Sequence, residues 1–309
     1  MFSTATEPAA QTRSNPNVII IYTDDHGYTD LGLFGIDGNV DTPHMDTLAR
    51  DGALMTNGYC SAPQCRPSRC GLMAGRIQNE FGFSQNHSDP GEGVGTLPRT
   101  YPEGTDMAGP HLPRIELDDP YYRNFPKQDY PHYNEAQDDV LRQGPALLKA
   151  MDDSIGGVVK KLRDLGLEEN TLILFAGDNG APTKIRTGGG TPDVNGWNGS
   201  NNVSMRANKG NLLEGGIRVP MVAYWKGTIP AGQVIDEMVT TLDFTATTLA
   251  AGGGKIPPEF DGVNILPRLT GQASSIARTQ PMFWDFFFAQ AVRPSMFRIG
   301  SPSEADRLP

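Results

Sequence analysis

The chain has 309 residues, 38% hydrophobic and 20% charged, the composition of an ordinary globular protein with room for one large core. A net charge of −10, a pI near 5.0 and the lack of any Lys/Arg-rich run argue against a nucleic-acid partner. No run approaches the length of a membrane span, which argues against a membrane partner, and the polar start of the chain has no apolar core of an export signal.

Residues 17–23 are a continuous β-branched run ending on Asp24-Asp25, which predicts a strand buried on both faces in the centre of a parallel sheet. Thr42 then caps a helix over 43–50 with Gly52 as its stop, and 53–59 reads as a second strand. Cys65-Arg66-Pro67-Ser68-Arg69 opens a helix with Pro67 in its first turn and small residues after it for close packing. From 78 to 133 periodicity disappears, an unusually long irregular stretch. Leu147, Leu148, Met151, Ile155, Val158, Val159, Leu162 and Leu165 predict one apolar helical face closed by Gly166. Residues 171–176 form another buried strand, ending on Asp178-Asn179-Gly180, and a Gly/Asn-rich loop follows over 181–211. The run 217–225 reads as a strand near an edge or bulge because of Pro220. Asp243 caps a helix over 244–251, and 283–288 with 296–299 predict a hairpin of a small second sheet. This βαβα order predicts an α/β fold.

Cys65 stands at a loop-to-helix junction, near the positive end of a helix dipole and one turn from Arg69, where a nucleophile belongs. The alternative is a buried cysteine at a packed helix start. Cys60, Cys65 and Cys70 include no Cys-x-x-Cys pair, which argues against zinc and against a disulfide framework. In an open α/β sheet ligands collect outside the carboxyl ends of strands, so Asp24, Asp25, Asp178 and Asn179 are placed to meet there. Hard oxygen donors without imidazole point to Ca²⁺ or Mg²⁺. His26 and His44 are expected to pack or cap.

Several of these segments resemble the sulfatase family. The Cys65 to Arg69 pentapeptide matches the Cys-x-Pro-Ser-Arg signature, with Met73 and Ala74 in place of the usual Leu-Thr. The Asp24-Asp25 and Asp178-Asn179-Gly180 strand ends are similar to the family's, as is the segment from Asn208 to Pro220, where Asn208 replaces a glycine. Gly109-Pro110-His111-Leu112-Pro113 resembles the Ala-Pro-His-x-Pro element. The resemblance implies a three-layer α/β sandwich with a mostly parallel sheet, alkaline-phosphatase-like, and hydrolysis of a sulfate ester. It implies that a formylglycine-generating enzyme oxidises Cys65 to formylglycine, whose hydrate attacks sulfur. Asp24, Asp25, Asp178 and Asn179 would hold one Ca²⁺, with the residue made from Cys65 as a further ligand. Arg69 would hold the nucleophilic hydroxyl, Lys209 and His111 would contact the sulfate, and His111 would protonate the leaving alcohol. The substrate would be a sulfated small molecule or carbohydrate. Family members are usually exported, whereas this N-terminus does not read as a signal peptide.

The family also has a Lys-Trp-His-Leu-Gly segment that this chain lacks, so an internal piece is expected to be missing near 97–110. The expected organisation is a disordered 1–16, a catalytic domain over 17–275, and the start of an incomplete C-terminal β subdomain over 276–309. Two rivals stand beside sulfate hydrolysis. One is phosphoester or phosphonate hydrolysis on the same site, and the other is a catalytically impaired remnant that binds only metal or a sulfated ligand.

Overall fold

The computed structural model describes residues 15–35, 41–86, 135–182, 200, 202, 205–286 and 289–294, with backbone alone over 135–144. Its main sheet holds β1 (Asn17–Thr23), β4 (Thr171–Gly177), β5 (Met221–Tyr224), β2 (Ala53–Met55) and β6 (Gln233–Ile235), in that spatial order. β1 is parallel to β4 and β2 to β6, while β5 is antiparallel to both its neighbours, β4 and β2. The sheet is therefore mixed, with one strand running against the rest.

Strand alternation sends successive side chains to opposite faces, and each face is covered by helices. On one face Ile173, Phe175, Val222 and Tyr224 pack against Met45 and Leu48 of α1 (Pro43–Asp51) and Ile155, Val159 and Leu162 of α3 (Glu135–Asp164). On the other, Leu172, Leu174, Met221 and Ala223 meet Leu72 of α2 (Cys65–Ala74) and Leu242 and Phe244 of α5 (Thr241–Ala251). Each large side chain so buried contributes roughly 1.5–3 kcal/mol.

Several elements differ from expectation. β1 lies at the sheet edge, pairing only with β4 among the described residues, and Ile20 is 36% exposed. A β-branched run fits an edge and a centre equally well, since pairing is decided by distant chain. Residues 53–59 split: β2 ends at Met55, and β3 (Gly58–Tyr59) leaves the main sheet to pair with β7 (Val239–Thr240). β5 is internal, because the chain makes a helical turn, α4 (Glu214–Ile217), and Pro220 lies just before the first paired residue, where its missing N–H breaks no ladder bond. α3 starts at Glu135, and it buries Leu148, Ile155, Val159 and Leu162 while leaving Leu147, Val158 and Leu165 exposed.

Helix α1 is not capped by the Thr42 side chain. Asp152 of α3 does that work, accepting N–H bonds from His44 (3.1 Å) and Met45 (2.8 Å). His44 packs on α3, where a Cβ at Gly156 would come within 2.6 Å of its ring. α5 starts earlier than expected, with Thr240 as cap and Asp243 at the third position, accepting the Thr240 N–H at 2.7 Å. The last hairpin pairs β8 (Met282–Phe286) with β9 (Ala289–Arg293), so the second strand comes sooner than the expected 296–299, which lies outside the described residues. No described helix is long and apolar enough to cross a membrane.

Candidate active site

β1 and β4 run in parallel register with Thr23 opposite Gly177, so their carboxyl ends deliver two acidic turns side by side. The turns are stitched together: Asp178 N–H donates to Thr23 O at 2.9 Å, and Asp25 N–H donates to Asp178 Oδ1 at 3.0 Å. Asp25 adopts φ +52°, a left-handed conformation that costs a non-glycine residue about 1–2 kcal/mol and is least unfavourable for Asp and Asn. That turn aims its carboxylate inward, where it is 4% exposed. The third element is α2, whose first residue is Cys65, with Sγ 3.7 Å from Asp25 Oδ1. A Cβ at Gly71 would sit 2.4 Å from Ser61 Oγ, so glycine there lets α2 lie close against the loop before Cys65.

Arg69, one turn along α2, lies between two carboxylates. Its Nε and Nη2 reach Asp178 Oδ2 at 2.9 and 2.8 Å, and Nη2 reaches Asp24 Oδ1 at 3.0 Å. The guanidinium is 5.6 Å from the centre of the Tyr22 ring, and the Tyr22 hydroxyl is 2.8 Å from Ser68 Oγ. Lys209 comes from a later segment, with Nζ 2.5 Å from Asp25 Oδ1 and 2.9 Å from Cys65 Sγ. Its backbone is tied to both acid turn and cysteine loop: Lys209 N–H donates to Ala181 O (3.0 Å) and Gly210 N–H to Pro63 O (2.8 Å).

The glycines of Glu214-Gly215-Gly216 are steric necessities. A Cβ at Gly180 would fall 1.9 Å from Gly215 O, and one at Gly215 would fall 2.0 Å from Ala207 O. Gly180 N–H donates to Gly216 O at 3.1 Å, so the acid turn and the Lys209 segment run in backbone contact. On its other side the turn is held by Asn202, whose amide bonds to Ala181 twice, Nδ2 to the carbonyl (3.0 Å) and Oδ1 from the N–H (3.2 Å).

Burial, then the neighbouring Asp24 and Asp25, push Asp178 well above the ordinary carboxylate range against the pull of Arg69. Burial pulls Lys209 down, but Asp25 and Cys65 outweigh it and hold the ammonium charged. Burial, Asp178 and Asp25 push the Cys65 thiol up, so the protein's own carboxylates oppose the thiolate that a helix N-terminus would favour. His26 is buried and lowered to about 4, packs edge-on against Phe175 and bonds Thr23 Oγ1, as expected of a packing residue.

Ligand atoms of Asp24, Asp25, Cys65 and Asp178 all lie within 4.8 Å of one another. Asn179 donates through Nδ2 to Asp25 (2.7 Å) and Gly180 O (3.0 Å), leaving its buried Oδ1 without a hydrogen-bond partner. Three carboxylates around one point, with the Asn179 amide against Asp25 and its oxygen orphaned, fit a hard divalent cation. Asp24, Asp25, Cys65, Arg69, Asp178, Asn179 and Lys209 thus converge, while His111 and the 97–110 stretch lie outside the described residues. Tyr22 and Asn202 were not singled out by the sequence. Tyr22 stands two residues before the acid pair, a position that could have drawn attention, whereas Asn202 is one polar residue in a polar loop.

The Sulfatase family model matches residues 16–103 and 107–254. The chain belongs to the sulfatase family. Human N-acetylgalactosamine-6-sulfatase is 27% identical over 82% of this chain, and human arylsulfatase A is 24% identical over 84%. The chain spans 66% of the length of the first and 69% of the second. Among solved structures, Ps i-CgsB in complex with k-i-k-neocarrahexaose superposes with a TM-score of 0.70 at 22% identity, covering 91% of this chain and 82% of its own. The phosphonate monoester hydrolase SpPMH from Silicibacter pomeroyi has a TM-score of 0.59 at 16% identity, covering 91% and 81%. These structures share the fold.

Proposed function

We propose that this chain hydrolyses a sulfate ester at Cys65, matured to formylglycine, beside a Ca²⁺ held by Asp24, Asp25, Asp178 and Asn179. The observation that carries this reading is the seating of Cys65 between Lys209 and Asp25 in a cluster with an orphaned Asn179 oxygen. Cys65 Sγ stands where a hydroxyl of the hydrated aldehyde would be. The hydrate would supply the nucleophile, and the cation, when held by these residues, would supply Lewis-acid polarisation of the sulfate. Arg69, fixed by Asp178 and Asp24, keeps positive charge next to the position of the nucleophile. Lys209 holds its ammonium at the same point, as a point charge for the sulfate. His111 is the proposed donor of a proton to the leaving alcohol, and the formylglycine-generating enzyme is the implied maturation partner.

Charge favours sulfur over phosphorus. Three carboxylates against Arg69 and Lys209 leave one negative charge among these residues, and a divalent cation makes that one positive. A sulfate monoester anion balances it, and a phosphate dianion overshoots. A sulfated carbohydrate is the proposed substrate class, since solved neighbours hold k-i-k-neocarrahexaose or D-Glucosamine-2-N, 6-O-disulfate. The helices on both sheet faces support the three-layer, alkaline-phosphatase-like arrangement. We also read the chain as shorter inside than its relatives, because the match to the human N-acetylgalactosamine-6-sulfatase extends over 352 positions, more than this chain's 309 residues.

The test is turnover of an aryl sulfate by chain co-expressed with the maturing enzyme, with and without Ca²⁺. Activity that needs Ca²⁺ and drops more than about 10⁴-fold in Cys65→Ala supports the reading. Faster turnover of the aryl phosphate would overturn the sulfate assignment. An unmodified thiol in the Cys65 peptide by mass spectrometry would favour the impaired remnant.

A further inference from the structure

We infer that Asn202 is a positioning residue that sets the cation ligands and Lys209 together, by fixing a backbone unit that links them. That unit is Ala181, fully buried two residues after Asn179. Its carbonyl takes two N–H donors, the Asn202 amide at 3.0 Å and the backbone N–H of Lys209 at 3.0 Å. Its own N–H donates to Asn202 Oδ1 at 3.2 Å. Asn202 thus pairs with both main-chain groups of one residue, as a neighbouring strand would, where no strand is present among the described residues.

The clamp is anchored at its own root. Asn202 is 4% exposed, and the Met205 N–H donates to its backbone carbonyl at 2.8 Å. Gly180 is held by Gly216 and Ala181 by Asn202 and the Lys209 N–H, and Asn202 makes two of the three bonds at Ala181. Removing the amide leaves the buried Ala181 N–H unpaired and takes away one of two donors on its carbonyl. The turn then relaxes, and Asn179 Oδ1 and Lys209 Nζ lose their fixed separation together. A residue that merely filled space would lower stability without linking those two groups.

The inference rests on the proposed reading of this site as cation plus sulfate. Its test uses the whole chain: Ca²⁺ titration calorimetry, melting temperature, and aryl sulfate kcat and KM, for the unaltered chain, Asn202→Ala, Lys209→Ala and the double variant. Asn202→Ala should weaken Ca²⁺ about 10–100-fold, the usual cost of losing an outer-shell partner. It should lower kcat about tenfold in the unaltered background and much less once Lys209 is gone, because the two act through one carbonyl. Ca²⁺ affinity within about threefold of the unaltered chain, with only a lower melting temperature, would overturn it, as would kcat losses that simply multiply. If Asn202→Ala does not fold, Asn202→Ser, uncharged and too short to span both groups, carries the same expectations. A chain that binds Ca²⁺ but turns over no aryl sulfate sinks the sulfatase reading alone, and the Ca²⁺ titration still decides on Asn202. No Ca²⁺ binding by the unaltered chain sinks both.

Discussion

Strand β4 has a buried acid near each end, and the two are built on opposite plans. Before the strand, Glu168 accepts from Tyr224 Oη (2.7 Å), Arg163 Nε (2.8 Å) and Lys226 Nζ (3.1 Å). One carboxylate there has more donors than it needs, and they hold it below the ordinary glutamate range although burial pushes the other way. After the strand, Asp178 shares Arg69 with Asp24 and faces Asp25, and burial together with its like-charged neighbours pushes it up. A carboxylate whose cationic and hydroxyl donors outnumber it is satisfied, and reads as scaffold. A cluster that keeps an excess of buried anion and an orphaned amide oxygen suits the binding of a cation, because burial makes such an imbalance expensive unless something offsets it.

Asp178→Asn attacks that difference most directly. It removes one of three negative charges and turns one carboxylate oxygen into an N–H donor while keeping the shape, so Ca²⁺ affinity should fall by more than about 100-fold, beyond the cost of an outer-shell change. Calorimetry reads this, and affinity near the unaltered value would mean that the cluster is balanced after all. Lys209→Ala should separate substrate from cation. The ammonium shares Asp25 Oδ1, so its loss should leave Ca²⁺ affinity equal or higher, while kcat/KM for an aryl sulfate drops about 10²–10³-fold. Weaker Ca²⁺ binding in this variant would break the assignment of Lys209 to the sulfate side.

Why one cluster was legible in the sequence and the other was not follows from where their partners lie. Asp24, Asp25, Asp178 and Asn179 each close an apolar run, so strand and ligand are read from one local window and the parallel register does the rest. Cys65, Arg69 and Lys209 stand in dense motifs. Glu168 sits in a polar link that reads as solvated surface, and its burial depends on Tyr224 and Lys226, 56 and 58 residues further on. Asn202 is hidden for the same reason: its two bonds to Ala181 bridge 21 residues of polar sequence. The edge position of β1 and the reversed direction of β5 are likewise properties of pairing between distant segments. A run of Ile and Val records that a strand wants burial, and says nothing about which neighbour provides it.

The Glu168 cluster yields the smallest effect and the clearest sign. Glu168→Gln keeps shape but turns charge-assisted bonds into neutral ones, so it should cost roughly 1.5–3 kcal/mol of stability while leaving aryl sulfate kcat unchanged. Because the folded state holds Glu168 below its ordinary value, its contribution is fully present above the unfolded pKa, about 4.3, and is lost as pH falls through the folded value beneath it. The stability difference between the unaltered chain and the variant, from urea unfolding, should therefore stay flat from pH 8 to about 5 and shrink at lower pH. A difference that instead grew on acidification would mean that burial, not Arg163, Lys226 and Tyr224, dominates this carboxylate, and that the two ends of β4 are less different than their geometry indicates.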